Sequence, residues 1–305
     1  MKISLFQVPH FQTLSVNFSA QLRVNQYFTF ASTPTPLPME IPSAIVNRKG
    51  VRKAADIKPE VLALLEEGRI ETVNLTEWLA VDQLKVLQVV LKALQWEAHY
   101  PVFETAVNAQ KKPSANSNTK VIGAELARLS DDPAVFQWLR NHSSDIVRCW
   151  ACWAEAIHAN STEDLLDNMQ PYAADRHFGV REVVIFASKD RLVEDLSNAI
   201  NLLREWSASA DENVRRYTAE VLRPNGVWTK KVDAFHQNPE LGLPLIAPLN
   251  SDPSKYVQNS VANWLNDASK SNPDWVRKIA DAWGSASSTK ATAYIVKRAL
   301  RTINK

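Results

Sequence analysis

Two carboxylates, Glu220 and Asp267, and two indoles, Trp228 and Trp264, are the residues of this chain best equipped for chemistry. A carboxylate stabilises positive charge developing at a reacting carbon and can position water beside it. An aromatic face holds a cation. Asp267 closes the stretch SDPSKYVQNSVANWLNDASK, in which Asn259, Asn263, Asn266, Asp267 and Lys270 fall on one side of a predicted helix. Asparagine is a poor helix former, so this row is an unusual choice for a merely solvated face. It either holds a polar ligand or caps neighbouring helices and bonds across a helix pair. Trp264 falls on the opposite side with Val257, Val261, Leu265 and Ala268, and reads as core. Glu220 lies in DENVRRYTAEVLRPNGVW, where it can also pair with Arg216 one turn back.

The elements that position these groups are helical. Asp252-Pro253 opens the second helix, with Asp252 as N-cap and Pro253 in the first turn. Asp211 caps the first helix, and Val214, Tyr217, Val221 and Leu222 mark its buried face. Arg215, Arg216, Glu220 and Arg223 lie largely elsewhere. Pro224, Asn225 and Gly226 stop that helix and put Trp228 on a turn. The pattern recurs upstream in SDDPAVFQWLRN, SSDIVRCWACWAEA and ADRHFGVREVVIFA. Val147, Val180, Val214 and Val257 anchor it at separations of 33, 34 and 43 residues. Those periods belong to helical-pair repeats, whose members bury their faces only by stacking. The expected fold is all-α: a HEAT-like, armadillo-type superhelix with a concave face. If the repeats are in phase, Arg148, Arg181, Arg215 and Arg216 align along the stack, or else pair with acidic residues of adjacent turns.

VRRYTAEVLRPNGVW followed by DPSKYVQNSVANWLND resembles the DNA alkylation repair family, the HEAT-like-repeat alkylpurine DNA glycosylases AlkC and AlkD, and most closely the AlkC-like side. The resemblance is dense over 211–270 and continuous but weaker over 40–300. It implies a DNA N-glycosylase that excises positively charged N3- or N7-alkylpurines by hydrolysis. It also implies roles for Glu220, Asp267 and Trp228 in the active site and a concave DNA-binding face. One acidic position of the AlkC-like pattern is filled by His177 in DRHFGVRE, with Glu182 five residues on. Relatives that bind damaged or branched DNA without cleaving it share the scaffold, and a protein-binding HEAT scaffold is the third reading.

Composition narrows the choice. The 305 residues contain 7 glycines and 2 cysteines, which argues against a glycine-rich phosphate loop and a disulfide framework. No apolar run approaches the roughly 20 residues of a membrane span. Residues 268–305 carry eight basic and two acidic groups, a charge of +6 within a chain of net +2. That end suits a polyanion. With the arginines above, Asn263, Lys270, Lys297 and Arg301 are therefore expected to contact double-stranded, alkylated DNA. Cys149, Trp150, Cys152 and Trp153 sit mid-helix and read as core. No cofactor or metal is expected, and a cytoplasmic monomer is the expected state. Residues 1–38 have a different composition and read as a flexible extension, with Met39 an alternative start, before a repeat domain over 39–305.

Overall fold

Five of the helices begin with the same turn, which builds the repeat. In each, a short polar side chain accepts the backbone N–H two residues on. Ser130 accepts from Asp132 at 3.0 Å, His142 from Ser144 at 3.1 Å and Asp175 from His177 at 2.7 Å. Ser209 accepts from Asp211 at 3.2 Å and Asp252 from Ser254 at 2.8 Å. The residue reached is usually itself the N-cap: Asp132, His177, Asp211 and Ser254 each accept a further N–H two residues along. Ser254, and not Asp252, therefore caps its helix. Asp252 is the residue that sets the turn before it.

The computed structural model describes residues 41–226 and 229–304. Residues 1–38 and Trp228 lie outside the described residues. Ser43–Lys305 forms one compact unit. The helices run in order α1 (Ser43–Val46), α2 (Pro59–Glu66), α3 (Leu75–Ala80), α4 (Gln83–Ala93), α5 (Tyr100–Asn108) and α6 (Ala115–Leu129). There follow α7 (Pro133–Arg140), α8 (Asp145–His158), α9 (Thr162–Ala173), α10 (Phe178–Glu194), α11 (Leu196–Trp206) and α12 (Glu212–Val221). The last are α13 (Asp233–Gln237), α14 (Leu243–Ile246), α15 (Lys255–Ala268), α16 (Pro273–Ala286) and α17 (Lys290–Ala299). No strand occurs among the described residues, so the fold is an all-α helical-repeat stack as the valine spacing indicates.

Two layers form. Helices α6, α8, α10, α12, α15 and α17 pack in succession, and α7, α9, α11, α14 and α16 cover one side of that row. The anchoring Val147, Val180, Val214 and Val257 are all buried between the layers, as are Trp150 and Trp264. The Trp150 indole reaches Gln83 at 2.9 Å, and the Trp264 indole reaches the Leu222 carbonyl at 3.1 Å. The 43-residue spacing between Val214 and Val257 exceeds the 34 before it by 9, an insertion within the segment that holds α13, α14 and two 3-10 turns. Gly242 of that insertion lies against Trp264, where a Cβ would stand 2.1 Å from the ring.

Local caps set two helix boundaries, and two side chains, Arg216 and Trp153, differ from the sequence expectation. The stretch from Asn74 to Leu94 forms two helices because Asp82 caps a new one, accepting from Leu84 at 3.0 Å. KKPSANSN is loop only as far as Ser114, whose capping box with Ser117 starts α6. Arg216 is 5% exposed and belongs to the buried side of α12. Trp153 is half-buried beside a groove, with the Lys120 ammonium 5.0 Å from its ring, and is not core.

Candidate active site

Helices α12 and α15 lie side by side, which brings Glu220 and Asp267 to a single guanidinium. Arg223 donates to Glu220 Oε1 through Nη1 at 2.7 Å, and to Asp267 Oδ2 through Nε at 3.0 Å and Nη2 at 2.7 Å. Lys270, one turn beyond Asp267, donates to its Oδ1 at 3.1 Å. Asn225 donates to the Asp267 carbonyl at 3.2 Å. Asp267 is 3% exposed. Burial alone raises the Glu220 pKa, but Arg216, Arg223 and the Ser260 hydroxyl outweigh it and hold the carboxyl below its usual range. The two acids thus share a site with three cations, Arg216, Arg223 and Lys270.

A cavity of about 650 Å³ opens over the Asp267 side of this cluster, lined by Arg223, Asn225, His236, Asp267, Lys270 and Arg301 among others, with Glu220 behind Arg223 and outside that lining. His236 comes from the inserted α13, and its Nδ1 meets Ser271 Oγ at 3.0 Å. Nothing in the local sequence placed His236 or Arg223 at the site. Arg223 reads as a helix-end charge, and its role appears only once α15 lies beside α12.

The asparagine row binds the next helix. Asn259 accepts from the Tyr294 hydroxyl at 2.7 Å and Asn263 from Arg301 at 2.9 Å. Asn266 is buried and donates to the Ala299 carbonyl at 3.1 Å and the Thr302 hydroxyl at 2.8 Å. Of the two uses open to this row, bonding across a helix pair is the one the structure displays. Asn263 thereby holds Arg301 at the cavity rim.

The arginines at the repeat starts share one geometry. Each donates Nη1 to the carbonyls six and five residues earlier: Arg148 to His142 and Ser143, Arg181 to Asp175 and Arg176, and Arg215 to Ser209 and Ala210. Gln258 repeats the first of these contacts, donating to the Asp252 carbonyl at 2.8 Å. Arg148 also pairs with Asp175 and Glu71, Arg215 with Asp252, and Arg216 with Glu182. These side chains clamp the turn of one repeat to the next. Arg181 has no carboxylate partner among the described residues, and its guanidinium lies over Tyr256, 5.4 Å from the ring. Lys270, Lys297 and Arg301 are exposed.

His177 is an internal cap. Its Nδ1 accepts from Gly179 N at 3.1 Å and its Nε2 meets the Thr72 carbonyl at 2.7 Å. The buried Asp145 carboxylate lies 3.3 Å from the same Nδ1, and the Thr72 hydroxyl 3.3 Å from Nε2. His177 therefore ties α10 to the segment before α3 and does not point into the cavity that Asp267 lines. Cys149 and Cys152 are buried, and burial pushes both thiols well above their usual pKa. Among the described residues, no cluster of three or more histidine, cysteine or acidic side chains could hold a metal ion. No described helix is long and apolar enough to cross a membrane.

The architecture and cluster define a helical-repeat protein with two carboxylates joined through one arginine under an open, basic-rimmed cavity. A family model described as DNA alkylation repair enzyme matches residues 182–303, a span that includes Glu220, Arg223, Asp267 and Lys270. The resemblance seen in 211–270 is thereby shown over that wider segment. The chain is 40% identical over 120 residues to the uncharacterized protein YhaZ of Bacillus subtilis (strain 168), a match covering 39% of this chain and 33% of that protein. Its fold is similar to that of the Pseudomonas fluorescens alkylpurine DNA glycosylase AlkC bound to DNA containing an abasic site analog. That likeness has a TM-score of 0.59 at 20% identity and covers 84% of this chain and 66% of the other. It is similar also to AlkD2 from Streptococcus mutans, with a TM-score of 0.52 at 24% identity, covering 67% of this chain and 97% of that one.

Proposed function

We propose that the protein acts in DNA repair as an N-glycosylase for positively charged N3- and N7-alkylpurines. The observation that carries this reading is the Glu220–Arg223–Asp267 cluster beneath a basic-rimmed cavity, inside the segment that matches the alkylation repair family. An alkylated purine is already a cationic leaving group. The bond from C1′ to the base nitrogen breaks with its electron pair going to the base, which departs neutral. Asp267 and Glu220 stabilise the positive charge left on the sugar, water adds to C1′, and its proton passes to a carboxylate.

Asp267 must free an oxygen to do this. Lys270 is the partner that can move, because its side chain is 50% exposed while that of Arg223 is 9% exposed. A DNA phosphate competes for the Lys270 ammonium and releases Oδ1 toward the sugar. Arg223 remains behind and fixes the carboxylate. Lys270, Lys297 and Arg301 supply phosphate contacts, with Asn263 orienting Arg301 and Arg181 adding a charge farther along the stack. Arg148, Arg215 and Arg216 support that surface from beneath. The partner is double-stranded alkylated DNA, met by a monomer in the cytoplasm. The engagement of both Asp267 oxygens in the free protein favours one rival, a binder of damaged DNA that breaks no bond.

Release of methylated purines from freshly methylated DNA tests the reading. Base release by the wild type that Asp267→Asn lowers about a hundredfold supports it. Binding of the same DNA with no base released overturns the glycosylase and leaves the binder.

A further inference from the structure

A second groove lies on the same row of helices, upstream of the acidic cluster. Two cavities, of about 420 and 480 Å³, share Lys120, Trp153, Phe186 and Asp190 between α6, α8 and α10. Both volumes fall in the range that small organic ligands occupy. Trp153 and Phe186 are half-buried and line both cavities. The charged lining is one-sided: Lys120, Lys189, Lys230 and Arg191 face a single carboxylate, Asp190. Lys230 pairs with Asp190 at 3.3 Å. Lys189 is 2% exposed, and its ammonium donates to the Arg223 carbonyl at 3.1 Å and the Thr229 hydroxyl at 3.0 Å. Burial, and then the Arg223 guanidinium, lower its pKa to about 8 against the opposing pull of Glu220, Asp190 and Asp267. The exposed Lys120 and Lys230 are the cations that an anion in the groove would meet.

The register of the repeat links this groove to the cluster. Trp153, Phe186, Glu220 and Asn263 each stand eleven residues after the residue that sets their repeat's turn, His142, Asp175, Ser209 and Asp252. They form one row across α8, α10, α12 and α15. Neighbouring helices lie roughly 8–10 Å apart, so the two aromatic faces sit one and two helix spacings from Glu220. A paired base inside a duplex cannot present its face to such a groove, whereas an unpaired one can.

We propose that the groove between α6, α8 and α10 holds one unpaired nucleotide of a bound DNA strand, its base against Trp153 and Phe186 and its phosphate toward Lys120 and Lys230. This rests on the reading of the protein as a DNA-binding repair protein, but not on its being a glycosylase. The groove then gives the protein a preference for distorted DNA in which a nucleotide has left the stack beside the site.

The test is anisotropy with two labelled duplexes at one salt concentration, one fully paired and one with a single-nucleotide bulge. The wild type is expected to favour the bulge by roughly five- to a hundredfold, the span that stacking of one base supplies. Trp153→Ala and Phe186→Ala should each remove most of that preference while leaving affinity for the paired duplex unchanged. Phe186→Leu, which keeps apolar bulk, separates loss of stacking from loss of packing, and thermal melts confirm folding. Equal affinity of the wild type for both duplexes, or a preference that survives both alanine variants, overturns the proposal and leaves the DNA reading standing. Tighter binding of free deoxyadenosine monophosphate than of the bulged duplex overturns its assignment to a DNA strand. Absence of binding to either duplex sinks the DNA reading itself.

Discussion

Asp190 and Asp267 stand at the same register of their repeats, each fifteen residues after the aspartate that sets the turn, yet their environments are opposites. The Asp190 side chain is 63% exposed and meets one mobile lysine, Lys230. The Asp267 side chain is 4% exposed and is held by Arg223 and Lys270. The difference comes from the following segments. Asp190 stands near the end of α10, where Lys230 is its ion-pair partner among the described residues. Beside α15, the end of α12 carries Arg223 into contact with Asp267. The scaffold offers the same place in each repeat, and the neighbouring repeat decides whether that place becomes a guarded charge.

Removing Arg223 should break this contrast most severely. Arg223→Leu leaves Asp267 buried beside one half-exposed lysine and Glu220 with Arg216 as its one remaining cation. Losing one member of a buried pair costs about 3–5 kcal/mol. A thermal or urea melt should show a loss in that range, and a change under 1 kcal/mol would mean that the cluster is not a coupled unit. Asp267→Asn should act mainly on chemistry. By the loss of one preorganised electrostatic group, single-turnover base release should fall about a hundredfold, near 3 kcal/mol. Affinity for DNA should hold or rise, because a negative charge near phosphate has gone.

Acid should sharpen a different contrast, between the first repeat and the later ones. Its turn is set by His142, where two later repeats use aspartate. Burial, and then Arg148, push the His142 pKa down from 6.5 to about 4. Below pH 6.5 the unfolded chain takes up a proton that the folded ring resists. The stability this group contributes is thus complete above pH 6.5 and lost as pH falls through about 4, to a total of about 3 kcal/mol. His142→Asn keeps an acceptor for the Ser144 N–H but does not titrate. Its melting temperature should fall less steeply between pH 6.5 and 4 than that of the wild type, and parallel slopes would contradict this.

The repeat was legible in the sequence because it is written locally. Buried valines and the polar residues that begin each helix depend on neighbours within a turn, so Val147, Val180, Val214 and Val257 sufficed to set the fold. The meaning of the polar face was not legible. The asparagines of α15 could have served a ligand or a helix, and only the position of α17 shows Tyr294, Arg301 and Thr302 waiting for them. The arginines at the repeat starts posed the same ambiguity. A side chain that clamps two carbonyls and a carboxylate is spelled like one that binds phosphate. Glu220 and Asp267 could be named from the resemblance, but the Arg223 that joins them spans 44 residues of sequence from Asp267 and left no periodic mark.

The smallest expected effects belong to exposed charge, and they separate the two aspartates again. Asp190→Asn should shift stability by less than about 0.5 kcal/mol, since a mobile surface pair contributes little. Charge reversal on the Asp267 side should be nearly as silent for folding but visible in binding. Lys297 and Arg301 are exposed on or just after α17, and each phosphate contact contributes about 0.9 to the slope of log affinity against log salt for duplex DNA. Lys297→Glu with Arg301→Glu should therefore flatten that slope by about 1.8 and leave the melting temperature within a few degrees. The same measurement on Arg215→Gln should show the reverse, a lower melting temperature with an unchanged slope, because that guanidinium is spent on Asp252 and two carbonyls. A flattened slope in Arg215→Gln would instead place phosphate on the repeat-start arginines and move the DNA path away from the rim of the Asp267 cavity.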